Sequence, residues 1–200
     1  YQLEQKLLPE NMYAFEPNER LYFRLKRIFT NINIYPFALS DKNETATFKI
    51  PIIKGKEFNS RGTLKVDYRE NGEEKHVFQQ VKVIKLDDWE ELKNLKKIDF
   101  IKIDVEGNEM QTLRGAKNMI EKFRPTLMVE MEQRHHQEPL YQLISEIENW
   151  GYEPYFLNRK TFELENLGEN LIANLSQNFI DSKETYINNI IFIPKNHKTQ

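Results

Sequence analysis

An apolar strand that runs into an acidic, glycine-containing turn and then into a helix constrains this 200-residue chain more than any other feature. Ile98 to Val105 reads as that strand. Side chains alternate along a strand, so Phe100, Lys102 and Asp104 share one face and Ile101, Ile103 and Val105 the other. Glu106 and Gly107 make the turn. Asn108 is placed to cap a helix reaching about Phe123, with Gln111 three residues on as in a capping box. Pro125 opens a second strand, Thr126 to Met131, on which Met128, Glu130 and Glu132 share a face. In open α/β sheets, ligands bind beyond the carboxyl ends of the strands. Asp104, Glu106 and Glu130 sit at such ends. A lysine inside an otherwise buried strand needs a partner. If the two strands are neighbours, Lys102, Asp104, Glu130 and Glu132 form one charged cluster, with His135 and His136 in the adjoining loop. An ion-paired lysine beside solvated loop residues is the plainer alternative. Clustering of perturbed charged groups at functional sites favours a site at Asp104.

Apolar runs alternate with amphipathic stretches elsewhere, the pattern of an α/β domain. Tyr1 to Leu8 reads as the tail of a helix ended by Pro9. Met12 to Phe15 reads as a buried strand, and Asn18 as the cap of a helix from Glu19 to about Thr30. Strands are expected at Ile32 to Leu39 and Thr45 to Ile53, and a loop at Lys54 to Gly62. Thr63 to Tyr68 and Lys75 to Lys85 read as extended segments joined by a hairpin turn at Asn71-Gly72. A short helix is expected at Asp87 to Leu95. Leu140 to Trp150 reads as a helix stopped by Gly151, and Tyr155 to Leu157 and Ile190 to Ile193 as the last strands. The segment 166–185 has no clear assignment. No repeat or linker divides the chain, so residues 1–200 are expected to form a single domain. Glu16, at the end of the first strand, is either an acceptor for ribose hydroxyls or a helix-end carboxylate.

Composition narrows the partners. The formal net charge is −2 and the basic residues are interleaved with acidic ones, as in Lys93 to Lys97, which argues against nucleic acid. There is no cysteine, which excludes disulfides and thiolate metal sites and fits a reducing, cytoplasmic setting. No apolar run approaches the roughly 20 residues of a membrane helix, so no membrane insertion is expected. The first residue is Tyr1 rather than Met, with no signal peptide before it, so the chain is expected to begin partway through a longer one.

Taken together, these segments resemble a known family. Tyr13-Ala14-Phe15-Glu16-Pro17-Asn18 and Phe37-Ala38-Leu39-Ser40-Asp41 are similar to the cofactor-binding half of FkbM-family methyltransferases. Lys85-Leu86-Asp87-Asp88 resembles the segment before the family's fourth strand. The run from Ile98 to Glu109 resembles its most distinctive stretch, and Leu113-Arg114-Gly115-Ala116 continues it in register. Thr126 to His136 and Tyr186 to Phe192 resemble later segments. The resemblance implies a Rossmann-like class I methyltransferase sheet, mostly parallel, with helices on both faces. It implies methyl transfer from S-adenosylmethionine to a hydroxyl of a sugar, glycan or polyketide-type product, with a small-molecule or glycan acceptor as partner. Glu16 would face the cofactor ribose, with Asn18, Ala38 and Leu39 beside the adenosine and Asp104 near the reacting end. Asp104 would be the base or acceptor-orienting group, with Glu106 beside it, Lys102 holding it in place and His135 as the alternative base. A magnesium version would use Asp104, Glu130 and His135. Their spacing resembles no compact metal motif, so the metal-free version is preferred. The family's first strand and its glycine-containing loop are absent. They are expected upstream of Tyr1, with that strand lying between those at Tyr13 and Ile101. Two rivals remain: a nicotinamide oxidoreductase, for which no glycine fingerprint is visible, and a non-catalytic or degenerate binding module of the same fold.

Overall fold

In the computed structural model, which describes residues 7–168, 175 and 186–195, the chain divides into two compact units, Tyr1–Trp89 and Glu90–Gln200. In the first, β1 (Tyr13–Phe15) pairs in parallel with β2 (Asn33–Tyr35). The connection between them is α1 (Glu19–Ile28). As its sequence position suggests, Asn18 caps this helix, its Oδ1 accepting the Leu21 N–H at 3.1 Å. The strand expected from Ile32 to Leu39 is in fact two. Pro36 has no N–H to offer a ladder and separates β2 from β3 (Phe37–Ser40). The two then take different partners, because β3 pairs in parallel with β6 (Glu73–Lys85).

The long strand β4 (Glu44–Ile53) runs antiparallel along the other side of β6, and β5 (Lys56–Glu57) completes the order β3-β6-β4-β5. This corrects the hairpin expected at Asn71-Gly72. Gly72 does take a turn conformation, with φ at +77°. Yet Thr63 to Tyr68 contributes only a single bridge, Thr63 to Lys49. Pairing β6 with β4 buries Phe48 and Ile50 against Val81, Val83 and Ala38 in one core. The loop is held instead by polar groups. Lys49 is buried, contacts the Tyr68 carbonyl, and lies 3.2 Å from Glu73 Oε1. Glu73 Oε2 in turn accepts the Glu70 N–H at 2.8 Å.

The second unit begins with α2 (Glu90–Lys93) and carries a five-stranded sheet in the order β10-β9-β11-β8-β7. β7 (Phe100–Ile103) and β8 (Thr126–Glu130) are parallel, with Ile103 opposite Val129. The helix expected between them is two, α3 (Glu109–Gly115) and α4 (Lys117–Phe123), broken after Gly115, a weak helix former. α5 (Leu140–Asn149) leads to β9 (Tyr152–Leu157) and is stopped by Gly151 at φ +85°. β10 (Leu164–Asn166) forms one edge, and β11 (Asn189–Pro194) lies antiparallel between β8 and β9. Hence β7, β8 and β9 run one way and β11 the other. The core of the unit includes Leu113, Ile120, Leu127, Val129, Ile144 and Phe192.

The result is a mixed α/β fold. The expectation of a mostly parallel sheet is corrected: among the described residues β1–β2, β3–β6 and β7–β8 are parallel, and the other five ladders are antiparallel. Near-adjacent strands such as β4 and β5 can pair only antiparallel through so short a link, and β11 enters its sheet inverted. The helix expected at Tyr1 to Leu8 falls largely outside the described residues, as does most of the unassigned stretch 166–185. Among the described residues, no helix is long and apolar enough to cross a membrane.

Candidate active site

The carboxyl ends of β7 and β8 gather the charged residues of the second unit. Strand alternation turns Ile101 and Ile103 inward and leaves Lys102 and Asp104 on the open face. Lys102 is therefore not buried, a correction to the expectation. Its Nζ lies 2.7 Å from Asp104 Oδ2, with the side chains 45% and 43% exposed. The parallel register brings Glu130 next to Asp104. Burial raises the Glu130 carboxyl above its usual range and the Asp104 charge adds to this, while Lys102 and the Asn188 amide oppose it. Asn188 Nδ2 donates to Glu130 Oε1 at 2.8 Å. For Glu132, burial works against the charge. Hydrogen bonds from Arg134 and the Tyr186 hydroxyl outweigh it and hold the carboxyl low.

Beyond Asp104 the backbone turns through two residues of positive φ, Glu106 at +50° and Gly107 at +102°. Glycine adopts this region freely, whereas a glutamate there is strained. Glu106 Oε2 faces His135 Nε2 at 3.4 Å, and the His135 side chain is only 5% exposed. Asn108 occupies the cap position of α3, but its side chain makes no capping bond. The acid that serves the turn is Glu109, whose Oε1 accepts the Gly107 N–H at 2.8 Å. Its Oε2 faces His136 Nε2 at 3.1 Å. Burial disfavours charge on Glu109, yet His136 and the Gly107 N–H together hold its carboxyl below the usual range. The structure thus joins Lys102 to Asp104 and Glu106 to His135. Sequence reasoning gave no role to Glu109, Asn188 or Tyr186. The Asn188-Asn189 pair ahead of an apolar strand was the available signal for Asn188.

In the first unit, Glu16 sits just beyond β1 and its Oε1 accepts the Asn18 N–H at 2.8 Å. Burial raises its carboxyl, and the Asn18 bond partly offsets this. The Asn18 carboxamide is committed on both sides, since its Nδ2 donates to Asn59 Oδ1 at 2.9 Å. Ala38 packs its methyl in the sheet core, and Leu39 is half-buried. Phe15, Tyr35, Phe37 and Trp89 form an aromatic cluster, Tyr35 and Trp89 meeting edge-on at 4.5 Å.

The Glu130 environment yields a test. A carboxyl raised in the folded state binds its proton more tightly there than in the unfolded chain. Its contribution to stability is therefore full at low pH and is lost as pH rises through the raised value. Glu130→Gln removes the charge and keeps a carbonyl for Asn188. The variant is expected to be at least as stable as wild type at about pH 8, its advantage vanishing by about pH 4. Urea unfolding at both pH values checks this, and a variant less stable than wild type at the higher pH would contradict it.

Acids and imidazoles thus collect at the carboxyl ends of adjacent parallel strands, the edge at which open α/β sheets bind their ligands. The chain belongs to the FkbM methyltransferase family: the model of the methyltransferase FkbM domain matches residues 4–154. The crystal structure of methyltransferase FkbM from Methylobacillus flagellatus KT resembles it with a TM-score of 0.49 at 14% identity, covering 92% of this chain and 36% of that one. This chain therefore spans 36% of the length of that structure. No curated protein matches the chain.

Proposed function

We propose that this chain takes part in S-adenosylmethionine-dependent methyl transfer to a hydroxyl oxygen of a sugar, glycan or related natural product. The observation that carries the reading is the Lys102–Asp104 pair at the carboxyl end of β7, with Glu106 and His135 one turn further on. Family membership supports it. The cofactor's sulfonium supplies a methyl group that is already activated. What remains for the protein is alignment and handling of the hydroxyl proton. Asp104 accepts a hydrogen bond from the acceptor hydroxyl and orients it, and Lys102 holds that carboxylate in place. His135, faced by Glu106, is the alternative proton acceptor.

The residues of the first unit fit an adenosyl group in part. Glu16 spends one oxygen on Asn18 and has the other to accept from ribose hydroxyls. Asn18 acts by holding Glu16 and starting α1. Leu39 is the apolar surface for the adenine, while the Ala38 methyl is already used in the core. Glu16→Ala is expected to weaken S-adenosylmethionine binding by about 1–3 kcal/mol, the scale of a lost buried or charge-assisted hydrogen bond. Calorimetric titration of the full-length protein measures it, and wild-type affinity in the variant would rule out the ribose role. Glu16→Gln should be milder, because the amide keeps an acceptor.

A further inference from the structure

We propose that Glu109 and His136 form a buried clamp that positions Glu106 against His135, resting on the methyl-transfer reading for the reaction it serves. Neither clamp residue has a direct part in that chemistry. Both side chains are almost wholly enclosed, Glu109 at 2% and His136 at 3% exposure. They meet at 3.1 Å, with Glu109 three residues after Glu106 and His136 directly after His135. Glu109 belongs to the segment after β7 and His136 to the segment after β8, so the contact ties one strand-end loop to the other.

Each half of the clamp is fixed on its own side. On the β7 side, the Glu109 carboxylate holds the Gly107 N–H, and so secures a turn in which Glu106 keeps a conformation that L side chains rarely adopt. Such strain persists only where the surroundings enforce it. On the β8 side, Gln133 staples the histidine loop. Its Nε2 donates to the carbonyls of His136 and Glu138 at 3.1 and 3.0 Å, and its Oε1 accepts the Leu140 N–H at the start of α5 at 2.9 Å. With both loops held, the neighbours of the clamp, Glu106 and His135, face each other at 3.4 Å. A buried polar pair is a poor source of stability, since apolar residues of similar size commonly do as well. What such a pair supplies here is geometry. A displacement of about 1 Å at a reacting group can lower turnover by about 10²-fold.

The test uses the full-length protein with histidine labelled at the imidazole carbons, the His135 signals being assigned by loss in His135→Gln. Glu109→Ala and His136→Phe should each shift or broaden the His135 ring resonances. They should lower kcat by about 10-fold or more with KM for S-adenosylmethionine unchanged within about twofold. Glu109→Gln keeps an acceptor for Gly107 and a polar partner for His136, and should recover most of both signals. A role confined to folding would lower the melting temperature of all three and leave the His135 resonances and the kcat of the folded enzyme at wild-type values, which overturns the proposal. Equal loss in Glu109→Gln and Glu109→Ala also overturns it. If Glu109→Ala does not fold, His136→Phe and Glu109→Gln decide. If the wild-type protein transfers no methyl group, the proposed function fails, and the His135 resonances still decide the clamp.

Discussion

Asp104→Asn is expected to lower methyl-transfer turnover by roughly 10²-fold or more, the usual range for a positioned acid–base group. The substitution keeps the shape of the side chain and removes its charge. The folding cost should be slight, because the Lys102–Asp104 pair is nearly half exposed, and exposed ion pairs contribute about 0–1 kcal/mol. A variant that folds normally and turns over slowly therefore reports on chemistry rather than stability. Affinity for S-adenosylmethionine should change far less than turnover, since Glu16 is assigned the ribose. Methyl transfer to the true acceptor, followed by mass spectrometry on the full-length enzyme, gives the rate. Near-normal turnover in Asp104→Asn beside an inactive His135→Ala would move the proton-accepting role to the histidine.

The parts of the fold that could be read from the sequence are those coded within a few residues. Asn18 caps α1, Pro125 precedes β8 and Gly151 stops α5 because caps and stops depend on local backbone needs. Pairing partners are not local. Asn71-Gly72 marks a turn correctly, but a turn does not say which strand lies beside β6, and the buried face of β4 decided it. The same limit applies to the site. Asp104 and Glu130 were placed together because two parallel strands present the same face at their ends. Glu109 is not legible as a site residue, because an acid in the first turn of a helix has an ordinary explanation in the helix dipole. Only the loop after β8, more than twenty residues further along the chain, supplies the His136 that gives it another. Lys49 is illegible for a similar reason. A lysine in a half-alternating strand reads as solvent-facing until Glu73 is seen beneath it.

Lys49→Met is expected to destabilise the protein by about 3–5 kcal/mol at neutral pH, because it leaves Glu73 buried without its main counter-charge. Lys49 and Glu73 are 4% and 3% exposed and 3.2 Å apart, so water cannot substitute for the missing cation. His76, 3.1 Å from the same carboxylate but nearer the surface, replaces only part of it. In the native protein burial opposes the Glu73 charge. The Glu70 N–H, Lys49 and His76 together overcome that and hold its carboxyl below the usual range. A depressed carboxyl contributes stability above its unfolded pKa and loses it as pH falls through the depressed folded value. In Lys49→Met part of what lowers the carboxyl is lost, and Glu73 can relieve its burial by taking a proton more readily. The penalty measured by urea unfolding should therefore shrink on going from about pH 7 to about pH 4. Lys49→Met combined with Glu73→Gln removes both charges and keeps an acceptor for the Glu70 N–H. It should recover at least half of the loss, as removal of both members of a buried pair commonly does. A single-variant penalty below about 1 kcal/mol, or one that is the same at both pH values, would mean that the pair is solvated in solution and does not hold the 63–72 loop.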